Sequence, residues 1–151
     1  MSDDTELNMK GLEQMLKSLK SPPNVRVGII GDKSPPRTGE VTNASIGAKH
    51  EFGESGMPIR SFLRMPLTLK MQDALDESKF FDPVALKKVV AMGDLTEWMQ
   101  KIGIVAESVV LDAFDTGGFG QWKPSIMDHK KNQQTLVETG QLRNAITSEV
   151  K

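Results

Sequence analysis

Residues 94–114 read Asp-Leu-Thr-Glu-Trp-Met-Gln-Lys-Ile-Gly-Ile-Val-Ala-Glu-Ser-Val-Val-Leu-Asp-Ala-Phe. Apolar residues Leu95, Trp98, Met99, Ile102, Val105, Ala106, Val109 and Ala113 recur at three- and four-residue steps. That period predicts an amphipathic helix of about five turns, running through Phe114. Asp94 and Glu97 have capping-box spacing, with Asp in place of the usual Ser or Thr. Gly103, in the middle, costs roughly 1 kcal/mol relative to Ala; close packing against a neighbouring element would explain its presence. One long helix with strand-like segments near both ends of the chain predicts an α+β fold. The expectation is a small β-sheet packed against the long helix and several short helices.

Working toward the N-terminus, Asp82-Pro83 is a strong helix start, with a cap followed by proline at the first helical position. That short helix should end at Gly93. Another should begin near Met65, since Pro66 is tolerated only in the first turn; it carries Leu67, Met71 and Leu75 and fades by Lys79. Asn43 is the expected cap of a short helix through Ala44, Ile46, Ala48 and Phe52. Gly53 suits the left-handed position that would end it. Glu54 to Pro58 is a turn, and Gly31 to Thr42 a long polar loop. Asn24 to Ile30 reads as a strand, with Val25, Val27 and Ile29 on one face and Ile30 opposite. Residues 1–21 form an N-terminal helix striped by Met9, Leu12, Met15, Leu16 and Leu19, stopped by Ser21-Pro22-Pro23.

On the C-terminal side, Asp115-Thr-Gly-Gly-Phe-Gly ends the long helix, and residues 117–135 are loop-like. Thr139 is the expected cap of a last short helix over Gly140 to Ala145. Residues 146–151 close the chain as a terminal strand.

The chain has 151 residues, 38% apolar and 26% charged, which suits one soluble domain with a real core. Nineteen basic and 20 acidic residues leave a formal charge of -1, with no global attraction for nucleic acid or membrane. Cysteine is absent, which excludes disulfides and thiolate metal sites. The acidic start Met1-Ser-Asp-Asp-Thr-Glu lacks an apolar signal region, and no run is long enough to span a bilayer, so a cytoplasmic site of synthesis is expected.

No catalytic constellation emerges. His50 and His129 are the only histidines, and neither has a metal partner at helical spacing. His50-Glu51 lacks the second histidine of a zinc-protease helix. Gly117-Gly118-Phe119-Gly120 resembles a phosphate loop in composition only, lacks the Lys-Ser/Thr ending, and follows a helix rather than a strand. There is no nucleophile elbow. His129-Lys130-Lys131 reads as a solvated basic face, without the aromatic interleaving of nucleic-acid readout. No catalytic residue, metal or cofactor is therefore expected. Arg60 and Arg64 flank Ser61-Phe62-Leu63 in a proline-stiffened segment. Their planar, multi-donor forks suit either of two roles: pinning the corner to its own domain, or gripping a neighbouring subunit.

Two separated stretches carry a resemblance. Val41-Thr-Asn-Ala-Ser-Ile-Gly-Ala-Lys-His-Glu-Phe-Gly53, then Met57-Pro-Ile-Arg-Ser-Phe-Leu-Arg64, resembles a signature of small proteins encoded by tailed bacteriophages. There an Ala-rich helix ends in Glu-Phe-Gly and is followed by Ile-Pro-Ala-Arg-Pro-Phe-Leu/Phe-Arg. Leu136-Val-Glu-Thr-Gly-Gln-Leu-Arg-Asn-Ala-Ile146 resembles the second signature, Leu-Ile/Val-Asp-Thr-Gly-Gln-Leu-Arg-X-Ser-Ile. Trp122-Lys-Pro-Ser and Lys130-Lys131 echo the segment between. Ser61 departs from the usual proline, Ala145 from the usual serine, and Asn132 from the glycine of a Lys-Gly pair. These departures bear on which subfamily the chain resembles.

The resemblance implies a non-enzymatic virion protein of the phage neck or head-proximal tail end. Such a protein assembles in the host cytoplasm as a homo-oligomeric ring, a hexamer or dodecamer. It would contact other neck, connector and tail proteins, with non-specific DNA contact in the lumen and no membrane partner. A transient assembly chaperone, absent from the mature particle, is the alternative. Structural or interface roles are expected at His50, Glu51, Phe52, Gly53, Pro58, Arg60, Phe62 and Arg64, and at Trp122, Thr139, Gly140, Leu142 and Arg143.

Overall fold

The computed structural model describes residues 2–31, 36–38, 41–54, 56–92, 95–123 and 140–151. The expected caps Asp94 and Thr139, the stop Gly93 and the basic run His129-Lys130-Lys131 lie outside the described residues.

The long helix forms as its period requires. It spans Thr96–Asp115 (α5) and buries Gly103, Ala106, Val109, Val110, Ala113 and Phe114. It lies across an antiparallel ribbon of two strands, Val25–Ile29 (β1) and Ile146–Val150 (β4). In the register Val25 pairs with Val150, Val27 with Ser148 and Ile29 with Ile146. Cross-strand partners share a face, so the three alternating apolar residues of β1 lie over Ile146, Ser148 and Val150. Mutual backbone hydrogen bonds between Asn24 and Lys151 continue the ladder. Gly103 sits where helix and ribbon come closest. A Cβ there would lie 2.6 Å from Ser148 Oγ and 3.5 Å from Val25 Cγ1. The glycine is therefore required by the close approach, and its helix-propensity cost is tolerated.

The other elements arrange around this layer. Ser2–Lys20 forms α1, and Asn43–Phe52 forms α2 beside β1. Arg64–Glu77 forms α3, packed along the long helix. Pro83–Met92 forms α4, the element that α1 contacts most, and Gln141–Asn144 forms the short α6 against α2. The fold is α+β, a small antiparallel sheet packed against helices. The core joins them through Phe62, Val110, Ala113, Phe114, Trp122, Leu142 and Ile146. A second aromatic group stands apart from it, with Phe80 stacked on Trp98 at 4.7 Å and Phe81 edge-on to both.

Several boundaries differ from the sequence expectation. The stretch 31–42 is not all loop: Pro36–Thr38 (β2) and Val41–Thr42 (β3) pair as a short antiparallel hairpin. The cap of α2 is Thr42, one residue earlier than Asn43. Thr42 is extended and accepts from Ser45 N, while Ser45 Oγ accepts from Thr42 N, a reciprocal box. Asn43 is instead the first helical residue, and it is buried. Gly53 does have positive φ (82°), but its ψ of 157° is extended rather than left-handed helical. The chain leaves α2 straight into the next loop, where a Cβ on Gly53 would run into Ile59. α3 starts at Arg64, with Pro66 in its first turn as expected, whereas α6 is shorter than the Gly140–Ala145 span expected. Asp82-Pro83 starts α4 as expected, with Asp82 Oδ2 accepting from Val84 N and Ala85 N.

Candidate functional site

The geometry of the corner begins with a backbone problem. A helix leaves its first N–H groups without intrahelical acceptors. At the start of α3 these belong to Leu63, Arg64 and Met65; Pro66 has none to offer. The first bond inside the turn is Leu67 N to Leu63 O. The acceptors come from a distance. Glu51, in the last turn of α2, extends its carboxylate over this end. Oε2 accepts from Phe62 N at 2.8 Å and Leu63 N at 3.0 Å. Oε1 accepts from Arg64 N at 3.2 Å, Arg64 Nε at 2.9 Å and Ser61 Oγ at 2.7 Å. Ser61 Oγ in turn accepts from Met65 N. Every early donor of the helix is thus satisfied, and the negative carboxylate sits at the positive end of the helix dipole.

Glu51 is almost wholly buried, its side chain 4% exposed. Burial alone would raise its pKa; the hydrogen bonds from Leu63, Ser61 and Arg64 outweigh that and hold it below the ordinary value of 4.5. The carboxylate is ionised at neutral pH, and its oxygens are saturated by donors. It therefore has no vacant lone pair with which to act as a general base.

Arg64 completes the grip by donating from Nη2 to Glu51 O, and its guanidinium lies 4.7 Å from the centre of the Phe52 ring. Arg60 is buried, and its Nε donates to Lys123 O across 63 residues of sequence. Burial pushes its pKa down, yet a guanidinium remains protonated. Arg60 N also donates to His50 O. Within this chain the two arginines thus tie the corner to its own domain.

Phe62, the residue between them, is fully buried and packs on Phe114 at 5.4 Å between ring centres. Trp122 stands edge-on to Phe114 and donates its indole N–H to Ser61 O. Leu142 belongs to the same cluster. A Cβ on Gly47 would meet Ile29, Phe62 and Leu142 together, so the Ala-Ser-Ile-Gly-Ala stretch of α2 keeps its smallest residue where α2, β1, the corner and α6 converge.

The expected site residues therefore divide. Glu51, Arg60, Phe62, Arg64, Trp122 and Leu142 come together, with His50 contributing its backbone carbonyl. Gly53 and Pro58 shape the loop between the two halves. Phe52 is 64% exposed on the outer side. Gly140, at φ 72°, precedes α6, and Arg143 lies farther off, paired with Asp115 by a two-pronged contact at 2.9 and 3.2 Å. Thr139 is among the residues not described.

Two contributors escaped the sequence reading. Ser61 reads in sequence as a departure from proline inside the arginine-flanked segment, but its hydroxyl bridges Glu51 and Met65. Gly118 reads in sequence as part of the stop of the long helix and of a run that resembles a phosphate loop in composition only. In the fold it lies against the Trp122 indole, which a Cβ at that position would overlap, and its φ is +67°. The signal was a glycine run four residues ahead of a tryptophan.

Among the described residues no group of three or more His, Asp or Glu is arranged to hold a metal ion, and no helix is long and apolar enough to cross a membrane. Neither family models, nor curated proteins, nor solved structures yielded a match to this chain.

Proposed function

We propose that this protein is a non-enzymatic structural subunit of a tailed-phage neck or head-proximal tail end, working as a ring of identical copies that joins or completes head and tail. The observation that carries the reading is the meeting of the two stretches that resemble phage signatures. Glu51, Arg60, Phe62 and Arg64 come from the first, and Leu142 from the second. Trp122, from the segment between, hydrogen-bonds to Ser61. Phe62 and Leu142 share one core cluster. Residues so arranged build a rigid corner rather than a reaction centre.

The ribbon adds a second support. Among the described residues β1 and β4 pair only with each other, so each keeps an outer edge of backbone donors and acceptors, and a sheet edge is a ready surface for a neighbour's strand. In a closed ring each copy offers one surface forward and a different one back.

Mass-spectrometric inventory of purified virions, with cryo-EM of the neck, tests the proposal. Stoichiometric presence at the head–tail junction is the expected result. Detection only in lysates of infected cells, with absence from mature particles, would replace it with the transient chaperone.

A further inference from the structure

We infer that copies of this chain join through their sheet edges, β4 of one subunit pairing antiparallel with β1 of the next in the register the two strands use within one chain. The inference rests on the ring reading and deepens it by naming the strands and residues that meet. The ladder itself identifies the free groups. Asn24 and Lys151 exchange both of their backbone hydrogen bonds. In an antiparallel pair such residues alternate with opposed residues that exchange none. Counting along the register, Arg26 with Glu149 and Gly28 with Thr147 are bonded pairs, while Val25 with Val150 and Val27 with Ser148 are not. Val25 and Val27 therefore turn their N–H and C=O to the outer edge of β1, and Ser148 and Val150 do the same on β4. No backbone group among the described residues takes them up.

The two edges complement each other. Bare edges are a liability, and closing a sheet on itself removes them. Head-to-tail pairing uses both edges of every copy, so a closed ring leaves none. Pairing β4 with β4, or β1 with β1, leaves the other edge of each copy bare. Rotation about an axis along the strands keeps equivalent strands pointing the same way. β1 and β4 then alternate in direction around the ring, and every pair stays antiparallel. Directly opposed residues share a face, so Val25, Val27, Ser148 and Val150 remain on the α5 side in every copy.

The charges agree with the same register. It sets Glu149 opposite Arg26 of the next copy, in the kind of pair whose side chains lie closer. The Arg26 side chain is 62% exposed. Within one chain Arg26 and Lys151 both reach Glu149 through Oε1, at 4.0 and 3.1 Å, which leaves Oε2 for a further cation. Self-pairing centred on Ser148 would set Glu149 opposite Thr147, and self-pairing centred on Val27 would set Arg26 opposite Gly28. Neither gains an ion pair.

Amide hydrogen exchange tests the pairing. The full-length protein is labelled in deuterium oxide as single subunits at low concentration and as the assembly at high concentration, then quenched and read residue by residue by NMR. Arg26, Gly28, Thr147 and Glu149, whose N–H groups lie in the ladder, should be protected in both samples. Val25, Val27, Ser148 and Val150 should exchange about tenfold or more slowly in the assembly than in the single subunit. Protection gained on β4 alone, or on β1 alone, would overturn the inference in favour of self-pairing. An assembly without gain at these four amides, or a chain that stays single at every accessible concentration, would overturn it outright. Val150→Pro removes one outward N–H and leaves the ladder's own donors in place. It should lower the assembled mass by light scattering while the single subunit melts within a few degrees of wild type; an unchanged mass would also overturn the pairing. The alternating pattern in a protein absent from virions would sink the neck proposal and leave this interface intact, and its absence from a protein found in virions would do the reverse.

Discussion

At the corner, Phe62 is sealed among Phe114, Trp122 and Leu142, and the polar groups around it are saturated by partners in the same chain. On α1, four apolar residues at helical spacing stay half exposed. In sequence the α1 stripe is the more regular of the two, whereas the corner is a helix end followed by a proline-stiffened turn without a period. The difference lies in what each meets. The corner gathers contributions from α2, α5, the glycine loop and α6, so several elements close over it. α1 sits at the chain's start and lies chiefly against α4, one helix with its own exposed Val84. Burial is thus decided by how many elements converge on a segment, and an apolar period alone does not supply them.

The comparison breaks first at Phe62. Phe62→Ala removes a fully buried ring and should cost about 3–5 kcal/mol, the usual range for a core Phe. At roughly 2–4 °C per kcal/mol for a chain of this size, that lowers the melting temperature by about 6–20 °C. Thermal unfolding followed by circular dichroism measures it. A shift near zero would mean that the corner core is not where the fold's stability resides.

Next comes Glu51. Glu51→Gln keeps the shape but loses the charge and turns an NH2 toward N–H donors. Hydrogen bonds to a charged acceptor are the stronger kind, and a donor left facing a donor adds its own penalty, so the cost should be about 3 kcal/mol at neutral pH. Its pH dependence is a sharper test. The folded-state pKa of Glu51 is depressed below its unfolded value. A depressed carboxylate contributes stability that is fully present above the unfolded value and is lost as pH falls through the folded one. The gap between wild type and Glu51→Gln should therefore hold steady above about pH 5 and narrow in the acid range below the ordinary value of 4.5. A constant gap down to the lowest pH at which both fold would show that Glu51 acts through shape and not through charge.

What sequence makes legible here follows from locality. The long helix, the Asp82-Pro83 start and the terminal strand rest on patterns within a few residues of one another. Gly103 is legible too, as an interruption that demanded a close neighbour, and Ser148 and Val25 are that neighbour. The cap of α2 sits at the edge of legibility. Thr42 and Asn43 are adjacent capping types, and only the backbone conformation selects Thr42. The role of Glu51 is not readable from pattern, because its donors lie 10 to 13 residues later, across a loop with no period. Nor is that of Gly118, whose reason is the ring of Trp122 folded against it. The glycine run there resembles a phosphate loop in composition only, and tertiary packing supplies its reason.

The smallest expected effect falls on α1. Leu16 is 50% exposed, so truncation forfeits only about half of the 1.5–3 kcal/mol that full burial of a leucine yields, roughly 1 kcal/mol. Alanine is also the best helix former, which returns a few tenths of that in a solvent-facing turn. Leu16→Ala should thus lower the melting temperature of the isolated subunit by about 2–4 °C, well below the loss at Phe62. The measurement belongs at a concentration where light scattering finds single subunits, since any association would add its own stabilisation to the folded state. If the loss matched that of Phe62→Ala under those conditions, the stripe would be as enclosed as the corner, and the contrast between the two regions would collapse. If the loss stays small in the single subunit but grows with protein concentration in wild type relative to Leu16→Ala, the missing cover of the stripe is another copy of the chain.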